Sequence, residues 1–407
     1  MQSTLSVPTL TTLQTSVVTA PVVGAPPDLL AAFATVPDPR RRQGTRFPLA
    51  AVLALAVSAL LANHLSVLAI AEWGATQTPD LLRSLGFSQG VTPHQSTLQR
   101  LFGKLDPAKL SAVLYRCFDH APADAAAPPP RGRQGVAIDG KAQRGRLAFA
   151  HTGAPVHALS ALCHDHDIVL AHLPIAGDGA KAEAELSVAP ALLARLDWRG
   201  RVLTGDALFC QRNLCQQVMQ AGGDYLLIVK GNQPTLYEEI SLLFDPPYPA
   251  LPLTDRREAY TVDNGHGRHV ETRRLVASTD LVGYSDWPGL AQVFRWERTW
   301  REQDPSQREV RYGITSLTPD VADAARLLEL KRDHWRIEND LHYVKDVTFA
   351  EDRSLIHVGT GPTILAMLRD TAINLLRWAG HRTIASRLRY HSSHPNLAVA
   401  LVRGQNA

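Results

Sequence analysis

The chain has 407 residues, of which 45% are hydrophobic and 20% charged, with 42 Lys and Arg against 39 Asp and Glu for a net charge of +3. That length is enough for two or three domains with a sizeable core, and the composition is that of a globular chain rather than a disordered or fibrous one. So small a net charge excludes a global basic field as the means of attracting a polyanion. Four scattered cysteines with no CxxC pair exclude a legible disulfide framework and suit a reducing compartment.

Residues 1–26, rich in Thr, Ser, Val and Pro, read as a flexible tail; they lack the basic start and compact apolar core of a signal peptide. Residues 27–120 read as a helical domain. Pro27 can open a helix carrying Leu29, Leu30 and Phe33, and Pro37-Asp38-Pro39 ends it. The Ala- and Leu-rich stretch 48–62 predicts a buried helix, too short to span a membrane. A further helix carries Leu68, Ile70, Ala71 and Trp73, and Thr92-Pro93 leads into one with Leu98, Leu101, Phe102 and Leu105 on one face. Two short helices about a turn permit a helix-turn-helix, but a plain bundle is the simpler arrangement.

Residues 121–135 form a Pro- and Ala-rich linker that cannot build a core. The region 136–378 then alternates strands and helices. Short apolar runs end at Asp139 and Asp206, and runs over 157–163 and 168–174 flank the polar turn 164–167 as in a hairpin. Helices are predicted over 181–196 and 208–221, a strand over 225–229, and a helix opened by Pro234. Residues 246–317 change character: 259–278 and 292–317 alternate in strand fashion about a Gly-His-Gly-Arg turn, with Phe294, Trp296 and Trp300 on one face and Arg295 and Arg301 on the other. This β-rich insertion is either a small sheet packed on itself or an Arg-lined, aromatic-supported DNA surface. Helices return over 322–330, 333–345 and 362–378, and 379–407 reads as a C-terminal tail.

Three acids stand in distinctive settings. Asp139 and Asp206 each follow a β-branched apolar run, so their carboxylates should emerge at strand ends, where an α/β fold builds its site. Glu338 rides the 333–345 helix, where Glu338, His342 and Lys345 at i, i+4, i+7 share a face while Trp335, Leu341 and Val344 can hold another in the core. Individually each acid has a plain alternative: a turn residue, a strand terminus, a charge on a solvated face. Gathered together, three carboxylates would bind two divalent cations for phosphoryl transfer on nucleic acid. A competing zinc-hydrolase reading would use His151, His157, His164, Asp165 and His166, but no HExxH is present and a polar hairpin turn explains those residues more simply.

At these acids the chain resembles the bacterial insertion-sequence transposases with a DDE triad, in the branch that includes the H-repeat-associated proteins. The residues that carry it are AIDGK (137–141) with Arg144-Gly145, GDA followed by Gln211-Arg212, GGDYLLIVKGNQPTLYEEI (222–240), the GHGR turn (265–268) and HWRIENDLHYVKDVTFAED (334–352). The resemblance implies an α/β fold: a ribonuclease H-like catalytic core with the β-rich insertion, preceded by a helical N-terminal domain. It implies Asp139, Asp206 and Glu338 as a metal-binding triad using Mg²⁺, for which Mn²⁺ can substitute. It implies double-stranded DNA as partner (inverted element ends and target), a homodimer or larger assembly on DNA, no membrane, and a cytoplasmic, nucleoid-associated location. Related transposases carry a Tyr-Arg-Glu-Lys signature; Glu338 and Lys345 keep its spacing, whereas His334 stands for the Arg and Lys331 for the Tyr. The DNA-contact residues expected are Lys141, Arg144, Lys230, Asn232, Arg268, Arg332, Arg336, His342 and Lys345. The alternative function is that of a catalytically inactive, transposase-derived DNA-binding protein.

Overall fold

The computed structural model describes residues 24–41, 45–119, 132–143, 156–175, 181–247, 253–264, 270–300 and 308–405. They fall into two compact units: Tyr225–Lys331 is one, and the residues up to Asp224 together with those from Arg332 onward are the other.

The larger unit begins with six helices: α1 (Leu29–Phe33), α2 (Leu49–Leu61), α3 (Val67–Thr76), α4 (Pro79–Ser84), α5 (Gln95–Phe102) and α6 (Pro107–Phe118). Local chemistry sets their starts. The Asp28, Ser66, Thr78 and Asp106 side chains accept from the first-turn N–H groups, and Pro79 and Pro107 occupy first-turn positions where no donor is needed. Asp28 rather than Pro27 thus starts α1. Apart from Ala50, every residue of α2 is buried, because this Leu/Ala helix is surrounded by α1, α3 and helices from the far end of the chain. Asn63 ends it at φ +66°, a conformation Asn tolerates. The arrangement is a bundle. Among the described residues no helix is long and apolar enough to cross a membrane.

Strands β1 (Gln134–Gln143), β2 (Val156–Cys163) and β3 (Val169–Ile175) follow, then α7 (Lys181–Leu193), β4 (Arg201–Gly205), a 3₁₀ turn (Ala207–Phe209) and α8 (Arg212–Gln220). β1 therefore already takes in Gln134 and Gly135, the last residues assigned to the linker. β2 runs antiparallel to both β1 and β3, and β4 lies parallel to β1 on its other side, giving the order β3-β2-β1-β4. This is the ribonuclease H-like α/β arrangement expected. Val136, Ala137 and Ile138 are fully buried, which is why a continuous apolar run rather than an alternating one forms this strand.

The smaller unit holds β5 (Asp224–Val229), α9 (Pro234–Phe244), β6 (Arg257–Asn264), β7 (Val270–Ser278), β8 (Gln292–Thr299), β9 (Arg308–Thr315) and α10 (Ala324–Asp333). β6 to β9 form an antiparallel meander whose last strand pairs with β5. Phe294 and Trp296 are buried, and Gly313 opposite Phe294 leaves room for its ring. The arginines of this sheet face acids: Arg295 meets Asp245 and Glu297, Arg274 meets Glu258, Arg298 meets Glu271, and Arg308 meets Glu297. That pairing favours the self-packed sheet over an Arg-lined DNA surface. Arg301 lies outside the described residues.

After α10 the larger unit resumes with two π-helical segments, Ile337–His342 and Val344–Thr348, then α11 (Gly361–Trp378), α12 (Ile384–Ser393) and α13 (Pro395–Val402). Every residue of α11 is buried. Asn374 from α11 bonds both the N–H and the C=O of Val169, satisfying the start of β3. The stretch 379–407 is no simple tail: α12 and α13 pack on α2 through Ile384, Leu388, Val399 and Val402, and Arg403 bridges Asp28. Helices of eight and ten residues carry too short a pattern to stand out in sequence; the apolar flank of α2 that they cover supplies the partner.

Candidate active site

Two neighbouring parallel strands, β1 and β4, carry the aspartates. In the β1–β4 pairing Ala137 lies opposite Thr204, and Asp139 and Asp206 are each two residues further on. Neighbouring strands run about 4.8 Å apart, so this register sets both aspartates at the same end of the sheet. Asp139 still pairs with Ser160 of β2 and is partly covered, whereas Asp206 lies just past β4, before the 3₁₀ turn, with its side chain 65% exposed.

Glu338 and His342 come from the first π-helical segment. Its signature is the i→i+5 bond from the Tyr343 N–H to the Glu338 carbonyl. His342 is buried, yet its Nδ1 lies 3.4 Å from Asp139 Oδ2 and 3.1 Å from Glu338 Oε2. One donor atom from each of Asp139, Glu338 and His342 lies within 4.8 Å of the others, and this is the group among the described residues with the geometry to hold a metal ion. Asp206 stands outside that trio.

Beside Asp206 is a histidine that sequence reasoning noted only as a departure from a signature. His334 Nε2 lies 3.9 Å from Asp206 Oδ1, and its Nδ1 lies 3.2 Å from Thr204 Oγ1, which in turn meets His164 Nε2 at 3.0 Å. A row His164–Thr204–His334 thus runs through the buried end of β4 to the exposed carboxylate. His334 sits four residues before Glu338, the one local signal that it could join the site. Among the hairpin residues of the zinc reading, Asp165 accepts from Gln134 and His164 Nε2 meets Thr204 Oγ1. His151 lies outside the described residues.

Several residues expected to touch DNA instead fasten the π-helical segment. Lys141 of β1 reaches Asp346 at 2.5 Å. Arg336 makes a two-pronged pair with Asp167, at 2.6 and 2.5 Å, which raises its pKa despite the opposing effect of burial. Lys345 is only 2% exposed and sits 2.9 Å from Asp370 and 3.6 Å from Glu351. Burial alone would lower its pKa, but those two carboxylates outweigh it and hold the pKa raised. A phosphate contact is therefore withdrawn for Lys345 and Arg336, whose charges are already spent inside the protein. The physical reason is the winding. In i→i+5 turns, a residue seven on from Glu338 lies about one and a half turns away, on the opposite side rather than the same face. Trp335, expected in the core, is 56% exposed because it lies in the turn that separates α10 from the π-helical segment, while Leu341 and Val344 are buried as expected. Arg332 is half-buried, Lys230 and Asn232 are exposed in the turn between β5 and α9, and Arg144 and Arg268 lie outside the described residues.

Residues 130–375 match the family model described as the transposase DDE domain, and residues 30–117 match the domain described as associated with it. The "H repeat-associated putative transposase YhhI" of Escherichia coli strain K12 is 26% identical over 358 residues, covering 86% of this chain and 90% of its own. The "Uncharacterized protein in dhlA 3'region" of Xanthobacter autotrophicus is 30% identical over 298 residues, covering 71% and 94% respectively. A cryo-EM structure of the piggyBac transposase synaptic complex with hairpin DNA aligns over 91% of this chain and 78% of its own, with 11% identity and a TM-score of 0.42.

Proposed function

The chain belongs to the family of transposases with a DDE domain, and from that premise we propose that it binds inverted element ends, cleaves DNA phosphodiesters there and joins the freed 3′ hydroxyl to target DNA. Asp139, Asp206 and Glu338 are its catalytic triad. The observation that carries this reading is the β1–β4 register, which supports two aspartates at one sheet end, together with Glu338 and Asp139 meeting at His342. Carboxylate oxygens are the donors that hard divalent cations prefer, so the set fits the metal this chemistry uses. Bound there, Mg²⁺ or Mn²⁺ would supply Lewis-acid activation of the attacking oxygen and stabilisation of the departing one.

The chain's own contribution is to hold the acids in place. The buried run before Asp139 makes its backbone rigid, and three ion pairs, Lys141–Asp346, Arg336–Asp167 and Lys345–Asp370, tie the π-helical segment to β1, to the β2–β3 turn and to α11. Such anchoring keeps Glu338 within reach of Asp139 without metal, which lowers the cost of assembling the site. The partner is double-stranded DNA, handled by a dimer or larger assembly.

A supercoiled-plasmid assay with matched element ends tests the reading. Asp139→Asn, Asp206→Asn and Glu338→Gln should each abolish cleavage while end binding persists. Full cutting by Asp206→Asn defeats the assignment. A wild-type chain that binds ends and never cuts, with Mg²⁺ or Mn²⁺ present, identifies it as a non-catalytic descendant.

A further inference from the structure

We infer that His342 is itself a metal ligand, so that one cation site of this protein has two carboxylate oxygens and one imidazole nitrogen and favours Mn²⁺-like ions over Mg²⁺. This rests on the triad reading of Asp139 and Glu338 and goes beyond it.

The geometry is that of neighbouring ligands. A divalent ion of this class sits about 2.0–2.2 Å from its donors, so two donors at a right angle around it lie about 3.0 Å apart. Nδ1 of His342 lies 3.1 Å from Glu338 Oε2 and 3.4 Å from Asp139 Oδ2. The ring is 4% exposed and its helical segment is held by buried Leu341 before it and buried Val344 after it, so it cannot swing into solvent to make way for a purely oxygen-bound ion. An ion gripped by both carboxylates therefore meets this nitrogen. Two carboxylates and a neutral imidazole also match a divalent charge.

Donor chemistry then sets the preference. Mg²⁺ is selected by oxygen donors, keeps its waters and gains little from a nitrogen, whereas affinity for nitrogen-containing sites rises from Mn²⁺ through Co²⁺ along the first transition row. The spacing Glu-x₃-His on a helical segment, with an acid from a distant strand, builds such a site.

The test uses the full-length, metal-stripped chain without DNA. Mn²⁺ binding is measured by the loss of the free-ion EPR signal, Mg²⁺ by competition, and directly bonded nitrogen by pulsed EPR of the bound Mn²⁺. Wild type should show nitrogen coupling to Mn²⁺. His342→Gln should lose that coupling and bind Mn²⁺ on the order of tenfold more weakly, while its Mg²⁺ affinity changes less than about threefold. Asp139→Asn serves as the control for the triad itself. Bound Mn²⁺ with no nitrogen coupling, or with coupling that survives His342→Gln, overturns the inference and leaves the triad standing. Mn²⁺ binding that is unchanged in Asp139→Asn, or absent from wild type, overturns the triad and the inference with it.

Discussion

Replacing Lys345 by Met distinguishes an internal tether from a DNA contact. The ammonium lies 2.9 Å from Asp370 and 3.6 Å from Glu351, with Arg369 also 3.3 Å from Glu351 and His172 2.9 Å from Asp370. With an effective dielectric of about 20, each of the two contacts of Lys345 amounts to roughly 5 kcal/mol of gross attraction, most of it offset by the desolvation of the ions. Removing one partner forfeits the attraction but leaves the carboxylates buried, and such changes cost about 3–5 kcal/mol. At about 2 °C per kcal/mol for a domain of this size, the melting midpoint should drop by roughly 6–10 °C. Differential scanning calorimetry checks this, and Lys345→Met combined with Asp370→Asn should recover part of the loss because the stranded charge goes too. A Lys345→Met protein that melts within about 1 °C of wild type but binds element ends more weakly would refute the reasoning and return the lysine to the DNA.

The same network has a defined pH window. The pKa of Lys345 is raised, so its contribution is complete below the ordinary lysine value of about 10.4 and fades as pH climbs through the folded value. Burial would raise the pKa of Asp370, but Lys345 and His172 hold it below the carboxylate range; its contribution is complete above about 3.9 and fades on acidification. The stability gap between wild type and Lys345→Met, followed by urea denaturation, should therefore stay level from about pH 5 to 9 and narrow at both extremes; a gap that varies across the neutral range contradicts the pairing. Arg336→Lys, which replaces a fork by a point charge against buried Asp167, should cost about 2 kcal/mol in chemical denaturation; unchanged stability with weakened DNA binding would reinstate Arg336 as a DNA contact. Gly140→Ala, next to Asp139 in β1, drives a Cβ into the buried Glu185 carboxylate and should cost about 1–3 kcal/mol and weaken Mn²⁺ binding, and a variant that matches wild type in both would show that the Glu185 side chain swings aside.

The chemical identity of the site was written locally. Apolar runs ending at Asp139 and Asp206 are strand signals because a buried parallel strand needs continuous β-branched and aliphatic residues. Glu338 and His342, four apart, are neighbours in any tight helix, so their meeting was legible whichever winding the backbone chose. Membership of the transposase family was likewise legible, in motifs strung along the strands and turns. The destiny of each basic residue was not. Lys345, Arg336 and Lys141 bear the same charge as any phosphate-binding side chain, and only the fold brings Asp370, Asp167 and Asp346 against them, the last two across 169 and 205 residues of chain. Helical period carried no warning of the π winding that turned Lys345 inward, or of the turn after α10 that leaves Trp335 outward. Nor could the row from His164 through Thr204 to His334 be read in advance, since its members come from the β2–β3 turn, the end of β4 and the turn after α10, which meet only when the sheet is assembled. Residue type determines what a side chain can do; which partner desolvates or neutralises it is a property of three-dimensional packing, and that packing decided which cations are spent on carboxylates inside the protein.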